Sequence, residues 1–299
     1  MFGKLTASKL LDASWQLMKK EKKIFLAQLL LIIMSFLIFI VGAYFAFRTG
    51  SFTDIYVSDD TISGGFDPTI LSAVIVIGTF FILGYLGEMV SAFVIAIALA
   101  RFRGNPISAQ EALGIIRKRG LSILLFTLLS SGVGYLLQIV HDYVPFFGAK
   151  VITWIGSVVW SVASVFSTVV IVDQNENNPF KAVNKSSKLI RKTLGDNIKV
   201  QLGVASIVLL GVMTAVLTGL IASTLMVVIG ASSLLFGIVT VAVPLSMLIF
   251  VAILGNAYSA IVKAALYEYA ISGKAPATFN KEMLEAAITR KKARKAFSW

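Results

Sequence analysis

Long apolar blocks, separated by short polar stretches, set the pattern of this chain. Six blocks are visible, at about 24–47, 70–100, 121–140, 151–172, 198–229 and 232–262. A helix of about 20 residues rises about 30 Å, which is the thickness of the hydrocarbon core of a bilayer. Each block therefore predicts one membrane-spanning helix, and the longest blocks must tilt, protrude or break.

Composition agrees with this pattern. Hydrophobic residues make up 57% of the 299 residues and charged residues 14%, whereas soluble domains are about one quarter charged. The predicted fold class is all-α: a polytopic membrane protein with six transmembrane helices in three hairpins and cytoplasmic amphipathic helices at the interface. The first apolar block is longer than the core of a signal peptide, so it is predicted to be a retained anchor.

The positions of the cations predict the topology. All 27 lysines and arginines except Arg48 and Lys150 lie in four polar segments, which are 1–23, 101–119, 181–199 and 263–295. Cytoplasmic loops are enriched in lysine and arginine. Both termini are therefore predicted to be cytoplasmic, with the spans in the cell membrane.

The whole chain, 1–299, is predicted to be a single membrane domain. It consists of a basic N-terminal interfacial helix at 1–23, a six-span bundle at 24–262 and a basic cytoplasmic tail at 263–299.

Two of the basic segments share a phrase, "NPISAQEALGIIRKR" at 105–119 and "NPFKAVNKSSKLIRK" at 178–192. Asn before Pro is a natural helix start, because Asn caps and Pro fits the first turn. "SAQE" at 108–111 is an alternative capping box. The repetition predicts a short basic helix ahead of each transmembrane hairpin, with a degenerate copy at the N-terminus and another after the sixth span. The alternative is that any cytoplasmic loop of this composition looks basic and helical.

The second phrase has an apolar stripe at helical spacing, made of Phe180, Val183, Ile190 and Leu194 and interrupted by Ser187. Such a helix is predicted to lie flat on the membrane, with its cations facing anionic lipid headgroups. The predicted headgroup contacts are Arg117, Lys118, Arg119, Lys188, Arg191, Lys192, Arg290, Lys291, Lys292, Arg294 and Lys295.

Glu88 is the one ionisable residue deep inside a predicted span. An intramembrane carboxylate is a functional candidate by default, because it is costly to place there. The structural interpretation is a hydrogen bond to a neighbouring helix, and the functional one is coupling to a proton or a substrate.

The cysteine and histidine content of the chain limits the metal sites that it can form. It has no cysteine and a single histidine, His141, so a zinc site built on several imidazoles is excluded within one chain. No metal or cofactor is expected. His141 at an outer-loop edge is interpreted as solvated, with an extracellular pH sensor as the alternative. The outer loop "SDDTISGGFD" offers carboxylates for calcium but lacks the EF-hand spacing.

The C-terminal tail carries "RKKARK" at 290–295, flanked by Phe297 and Trp299. Aromatic and basic residues together suit an interfacial anchor. RNA or ribosome contact is the alternative, and lipid is favoured because the membrane is adjacent. The expected partners are therefore the bilayer and its anionic lipids, together with protein partners, and not nucleic acid.

Three stretches resemble a known family: "ALARFRGNPISAQEAL", "GSVVWSVASVFSTVVIVD" with the helix that follows it, and "AALYEYAISGKAPATF". Together they resemble a prokaryotic six-pass family catalogued as domain of unknown function 6159. More distantly, the chain is similar to the membrane domain of some glycerophosphodiester phosphodiesterases. The resemblance implies the fold and no activity. A proline expected a few residues before Asp173 is missing from "STVVIV", which puts a shared kink in doubt.

The function expected from the residues is that of a non-enzymatic membrane module that binds anionic lipid or protein partners through its basic cytoplasmic face. The alternative is a small-molecule or ion transporter whose pathway includes Glu88.

Overall fold

The computed structural model of the protein describes residues 2–58, 61–67, 69–143, 147–193, 251 and 255–279. In chain order the elements are α1 (Phe2–Lys20), α2 (Lys22–Thr49), β1 (Ser51–Ser58), β2 (Thr61–Asp67), α3 (Ile70–Phe102), α4 (Ala109–Tyr143), α5 (Phe147–Ser164), α6 (Ser167–Gln174) and α7 (Pro179–Thr193). The last described helix, α8, covers 255–272.

Four stretches are helical, long and apolar enough to cross a membrane: α2, α3, α4, and α5 together with α6 over Lys150–Gln174. They coincide with the first four apolar blocks, so the prediction of these four helices is confirmed. The fifth block and most of the sixth lie outside the described residues.

A two-stranded antiparallel hairpin, β1 with β2, joins α2 to α3. The pairing runs from Ser51 opposite Asp67 to Ser58 opposite Thr61. The all-α prediction is therefore confirmed for the helices and wrong for this loop. The segment "FTDIYV" is rich in aromatic and β-branched residues, which favour strands. The side chains of the loop that was considered for calcium lie outside those described.

The buried core is concentrated at one end of the helices, here called the basic end. At this end α1 meets α2, α3 ends, α4 begins, and α6, α7 and α8 converge. The core includes the whole α3 segment 92–99, most of α6 and the α8 segment 260–262 with 264–267. At the other end, here called the hairpin end, large apolar side chains of α2, α3, α4 and α5 are exposed, as expected of surfaces that face lipid.

The helices α2 and α3 still approach closely toward the hairpin end. A methyl group placed at Gly42 would collide with the side chain of Thr79. Small residues allow this kind of close backbone approach between membrane helices. The contact holds the two helices together in a region that has almost no buried core.

The fourth span is broken between α5 and α6, at Val165 and Phe166. The amide of Phe166 is not used by the helix and donates to the buried Oγ of Ser186 on α7, at 2.9 Å. The missing proline had put a kink in this span in doubt. The span is nevertheless broken here. The hydroxyl of Ser186 satisfies the amide that the break leaves free.

The two copies of the Asn-Pro phrase form different structures. In the first copy, Asn105-Pro106 does not start a helix, and that prediction is wrong. Instead Ser108 and Glu111 form the alternative capping box, with N–O distances of 2.7 and 3.2 Å. In the second copy, Asn178 Oδ1 accepts from the amides of Phe180 and Lys181, and the predicted start is confirmed.

The first copy is also not a separate surface helix. Residues 109–143 form one continuous helix of 35 residues, so its basic segment is the first turns of a spanning helix. The prediction of a separate short surface helix is therefore wrong for the first copy. Helix α4 continues because "IIRKRGLSILL" has no proline, and one glycine costs a helix only about 1 kcal/mol.

Helices α1 and α7 are separate but pack into the protein rather than lying on lipid alone. On α7 the buried residues are Ala182, Ser186 and Ile190, while Phe180 of the predicted stripe is 67% exposed. On α1 the core residues are Leu10, Ala13, Leu17 and Met18. The prediction of this stripe is therefore wrong at its start, where the buried face of α7 is shifted by about one residue from the predicted one. Of the predicted helix after the sixth span, residues from 280 onward lie outside the described part.

Candidate functional site at the basic end

A cluster of charged side chains joins three helix ends at the basic end. Arg103 follows the last residue of α3, Asp173 lies near the end of α6, and Glu268 lies on α8. Arg103 Nη2 lies 3.1 Å from Asp173 Oδ2, and its Nε lies 2.9 Å from Glu268 Oε2. A planar guanidinium can serve two carboxylates at once because its donors form a rigid fork.

Two neutral side chains extend this cluster inward. The hydroxyl of Tyr267 donates to Asp173 Oδ2 at 2.9 Å and accepts from Gln174 Nε2 at 3.0 Å. Tyr267 is fully buried, and its ring makes an edge contact with Phe166 at the break of the fourth span. The charged cluster is thereby connected to the apolar core.

The charges of the cluster stabilise one another in their ionised forms. The hydrogen bond that Arg103 donates to Asp173 raises the pKa of Arg103 above its ordinary value, partial burial opposes this, and the bond to Glu268 adds to it. The guanidinium therefore stays charged under all ordinary conditions, and it is surrounded by two carboxylates. The cluster contains two carboxylates and one guanidinium, so it has no cation left over to bind an anion.

The chain after α8 folds back toward the same place. Gly273, with φ of 67°, ends α8 in the left-handed conformation that glycine favours. The amide of Phe279 then donates to the carbonyl of Pro276 at 2.7 Å, and the Phe279 ring packs edge-on against Phe102 at 5.8 Å. The Gly-x-x-Pro-x-x-Phe part of the sequence thus returns the chain to the end of α3.

A second set of ion pairs lies where α1 meets α2. The buried Glu21 contacts Lys23 at 3.0 Å and Arg101 of α3 at 3.5 Å. Lys23 also donates to the carbonyl of Ile107, in the loop before α4. A single buried carboxylate therefore ties α1, α2 and α3 together.

A third pair closes the loop between α6 and α7. Glu176 Oε2 lies 2.7 Å from Lys185 Nζ, and its Oε1 accepts from the amide of Asn178 at 3.2 Å. These bonds lower the pKa of Glu176 below its ordinary value, with that from Lys185 as the larger cause. The loop is also joined to α4, because Ser122 donates to Asn177 Oδ1 at 3.2 Å.

The predicted headgroup contacts fall into three groups. Arg117, Lys118, Lys188 and Arg191 are exposed, and no ion pair of the described residues includes them. Arg119 faces inward instead, and its Nε is buried without a partner in the described part of the chain. The other predicted contacts lie outside the described side chains: Lys192, Arg290, Lys291, Lys292, Arg294 and Lys295.

Glu88 makes the hydrogen bond that the structural interpretation expects. The hydroxyl of Thr168 on α6 donates to Glu88 Oε2 at 2.9 Å. Glu88 is partly exposed and lies on the side of α3 that faces α6. A threonine hydroxyl thus satisfies one oxygen of this carboxylate.

A layer of uncharged polar groups lies one helical turn away. Ser91 of α3 donates to Asn256 Oδ1 of α8 at 2.6 Å, and Asn256 Nδ2 lies 3.5 Å from Gln28 Oε1 of α2. Gln28 is fully buried, and its Nε2 has no partner among the described residues. Glu88 is therefore part of a polar layer that connects α2, α3, α6 and α8.

An apolar section separates this layer from the charged cluster. All eight residues of the α3 segment 92–99 are buried hydrophobic residues. Ser91 and Arg103 are twelve positions apart, which is about 18 Å along a helix. Along α3, no polar side chain continues the layer toward the basic end.

Sequence reasoning identified Glu88 but missed the charged cluster and the buried amides. A signal for the cluster was present, because Asp173 and Glu268 are acidic residues at the ends of apolar blocks whose flanks are basic. No such signal marked Gln28 or Asn256. Among the residues that the structure describes, no group of three or more His, Asp or Glu side chains is placed to hold a metal ion.

The charged cluster brings together the three stretches on which the family resemblance depends. "ALARFRG" supplies Arg103, "STVVIVD" supplies Asp173, and "AALYEYA" supplies Tyr267 and Glu268. A family model described as "Family of unknown function (DUF6159)" matches residues 70–277, which is more than half of the chain. Among curated proteins and among solved structures, nothing matches this chain. The distant likeness to the phosphodiesterase membrane domain stays a prediction.

Proposed function

The chain belongs to this family of unknown function, and from its residues we propose a membrane module, not an enzyme, that binds anionic lipid through its basic end. In this proposal the six apolar blocks are six spans, both termini are cytoplasmic, and the basic end faces the cytoplasm of a prokaryotic cell. Protein partners with an acidic surface would use the same face.

The proposal rests on one observation: some cations at the basic end form ion pairs and others do not. Four carboxylates, those of Glu21, Asp173, Glu176 and Glu268, pair with Lys23, Arg101, Arg103 and Lys185. They leave the exposed cations of α4 and α7 without an ion pair in the described part of the chain. A surface that keeps its cations unneutralised attracts anionic lipid, and each cation contributes about 1 kcal/mol near such a membrane.

The exposed leucines around Arg117 support its proposed contact with lipid headgroups. Leu113 and Leu121, one turn before and after it on α4, are both exposed, the latter at 68%. The same face continues into the exposed Leu125 and Leu128. A cation between exposed leucines, at the start of a lipid-facing stripe, is the arrangement in which a long basic side chain reaches up to the interface.

The test compares lipid composition around the full-length protein. The wild type and a variant with Arg117→Gln, Lys118→Gln, Lys188→Gln and Arg191→Gln are extracted from membranes of mixed phosphatidylglycerol and phosphatidylcholine, and co-purifying lipids are quantified at low and high salt. The wild type is expected to be enriched in phosphatidylglycerol several-fold, less so at high salt, and the variant to lose most of this enrichment. The matched control neutralises Arg48 and Lys150 at the hairpin end. Equal enrichment in wild type and variant refutes the proposal.

A second candidate function is supported by the polar layer around Glu88. Side chains of four helices contribute to it, and polar midplane groups are typical of transport pathways. The apolar α3 segment 92–99 counts against a continuous open pathway, so transport would require a second conformation.

Proton flux into proteoliposomes tests this alternative. With a trapped pH-sensitive dye and an imposed potential, a transporter that couples to Glu88 is expected to acidify the lumen faster than empty vesicles, and Glu88→Gln to abolish the difference. Thr168→Val, which removes only the hydrogen bond, is the matched control. Wild-type flux no faster than that of empty vesicles rejects proton coupling at Glu88.

A further inference from the structure

Arg119 differs from every other inward-facing charge at the basic end. It lies on the buried face of α4, at the spacing set by Ile116 before it and Ile123 after it, both of which are in the core. Its neighbours Arg117 and Lys118 point outward and are exposed. The stem of Arg119 therefore lies on the side of α4 that packs against the protein. A headgroup must enter a particular position to contact it, unlike the exposed cations of Arg117 and Lys118.

The guanidinium of Arg119 has no acidic partner in the described part of the chain. Its Nε is buried and makes no hydrogen bond there. The acids of α6 and of the loop that follows it are already engaged: Asp173 by Arg103 and Tyr267, and Glu176 by Lys185. A buried donor on a charged group that lacks an acceptor is costly, and such exceptions call for an explanation such as a bound ion.

A second donor lies on the loop that packs against this face of α4. Ser122, one turn further along the same face, gives its proton to Asn177 Oδ1. This bond places the loop between α6 and α7 over this part of α4, and it leaves the amide nitrogen of Asn177 without a bond among the described residues. Arg119 itself is partly exposed, so its guanidinium is accessible from the surface.

We propose that Arg119, with the amide nitrogen of Asn177, binds one phosphate group between α4 and the loop that joins α6 to α7. Guanidinium is the side chain best matched to phosphate, because two parallel N–H donors face two oxygens. The phosphate is either the diester of an anionic phospholipid or a soluble phosphate. This inference deepens the proposed lipid binding and rests on it for the lipid source, but the site differs, because the exposed cations give diffuse attraction and Arg119 gives a single saturable site.

The experiment uses the full-length protein in a neutral maltoside detergent. Bound lipid is counted by native mass spectrometry during titration with phosphatidylglycerol and, separately, with phosphatidylcholine, and thermal unfolding is followed during titration with inorganic phosphate. The variants are Arg119→Gln, which removes the charge, and Arg119→Lys, which keeps the charge but not the fork. Arg48→Gln is the control, since it removes an exposed cation at the hairpin end, outside the proposed lipid-binding surface.

The wild type is expected to bind one phosphatidylglycerol saturably and more tightly than phosphatidylcholine. Both Arg119 variants should bind it about tenfold more weakly, the loss expected for one charged hydrogen-bonding group, while Arg48→Gln changes affinity less than about twofold. If inorganic phosphate instead gives a saturable rise in melting temperature that Arg119→Lys removes, the site stands and its ligand is soluble. The proposal is overturned if the Arg119 variants bind both probes as the wild type does, or if the wild type binds neither.

This design separates the two proposals. Failure of the Arg119 site leaves the enrichment of anionic lipid by the four exposed cations unchanged. Absence of that enrichment leaves a saturable, Arg119-dependent phosphate site intact. Because Arg119→Lys keeps a cation on the same stem, it is expected to fold even if Arg119→Gln does not.

Discussion

The two ends of helix α3 have similar composition and opposite surroundings. Toward the hairpin end its apolar side chains are exposed, as Ile70, Val74, Ile77 and Phe80 illustrate, whereas at the basic end every residue from 92 to 99 is buried. At the basic end, charged side chains from several helices also pair with one another. The difference teaches that the described helices are held together mainly at one end, and that at the other end they expose the kind of apolar surface that suits lipid.

The largest effect is expected from a cavity in the packed half. Ile95→Ala removes atoms from a position that is 0% exposed, and we expect it to lower the free energy of unfolding by about 3 kcal/mol. The control is Ile77→Ala on the same helix, at a position that is 61% exposed. It should change stability little, because lipid replaces the lost contacts. Melting temperatures in one detergent measure both, and equal shifts would show that the two ends are packed alike.

The next largest effect concerns the charged cluster. Arg103→Ala leaves Asp173 and Glu268, whose side chains are 16% and 15% exposed, without their cation. We expect a loss of about 2 kcal/mol, below the value for a fully buried pair because Arg103 is itself partly exposed. Arg103→Lys should recover only part of the loss, because it cannot bridge both acids with a fork. Arg48→Ala at the hairpin end is the control, and a similar loss there would contradict the difference between the ends.

A smaller effect is expected where the fourth span breaks. Ser186→Ala leaves the amide of Phe166 without its acceptor, which should cost about 1 kcal/mol. Ser187→Ala, on the adjacent position of α7, removes a hydroxyl for which the described residues show no such bond and should cost less than half of that. Equal melting temperatures for the two variants would mean that the Ser186 bond does not stabilise the break.

The smallest effect is a pH dependence at Glu176. Its pKa in the folded protein is lowered by Lys185 and the amide of Asn178, below the ordinary value of 4.5. A lowered folded pKa contributes stability above the unfolded pKa, and this is lost as pH falls through the folded value. The melting temperature of wild type should therefore exceed that of Glu176→Gln at neutral pH, and the difference should shrink below about pH 4. A difference that is constant from pH 7 to about pH 3 would assign the effect to packing instead.

Within the Asn-Pro phrases, nearly the same residues gave two structures. Asn178-Pro179 starts α7, whereas Asn105-Pro106 lies in a loop and Ser108 starts α4. Both capping signals were visible in the sequence, yet local preference could not choose between them. The choice follows from where α3 ends: Gly104, with φ of 81°, and the bond from the Asn105 amide to Ala100 use Asn105 to close the preceding helix.

By itself the sequence determined the apolar helices and their charge pattern. Their lengths and the clustering of cations follow from rules that act within one segment, namely that a span must be long, apolar and free of charge. The four long apolar helices that the structure describes, their flanking cations and the role of Glu88 as a hydrogen-bonding group were all accessible in this way.

Only the tertiary structure decided which polar groups meet. Arg103, Asp173 and Glu268 are separated by 70 and 95 positions along the chain, and Gln28 is 228 positions from Asn256. No periodicity relates such residues, because their proximity depends on how helices pack against one another. The same packing turned Arg119 inward and left Arg117 and Lys118 outside, since the rotation of a helix about its axis is fixed by its neighbours and not by its own composition.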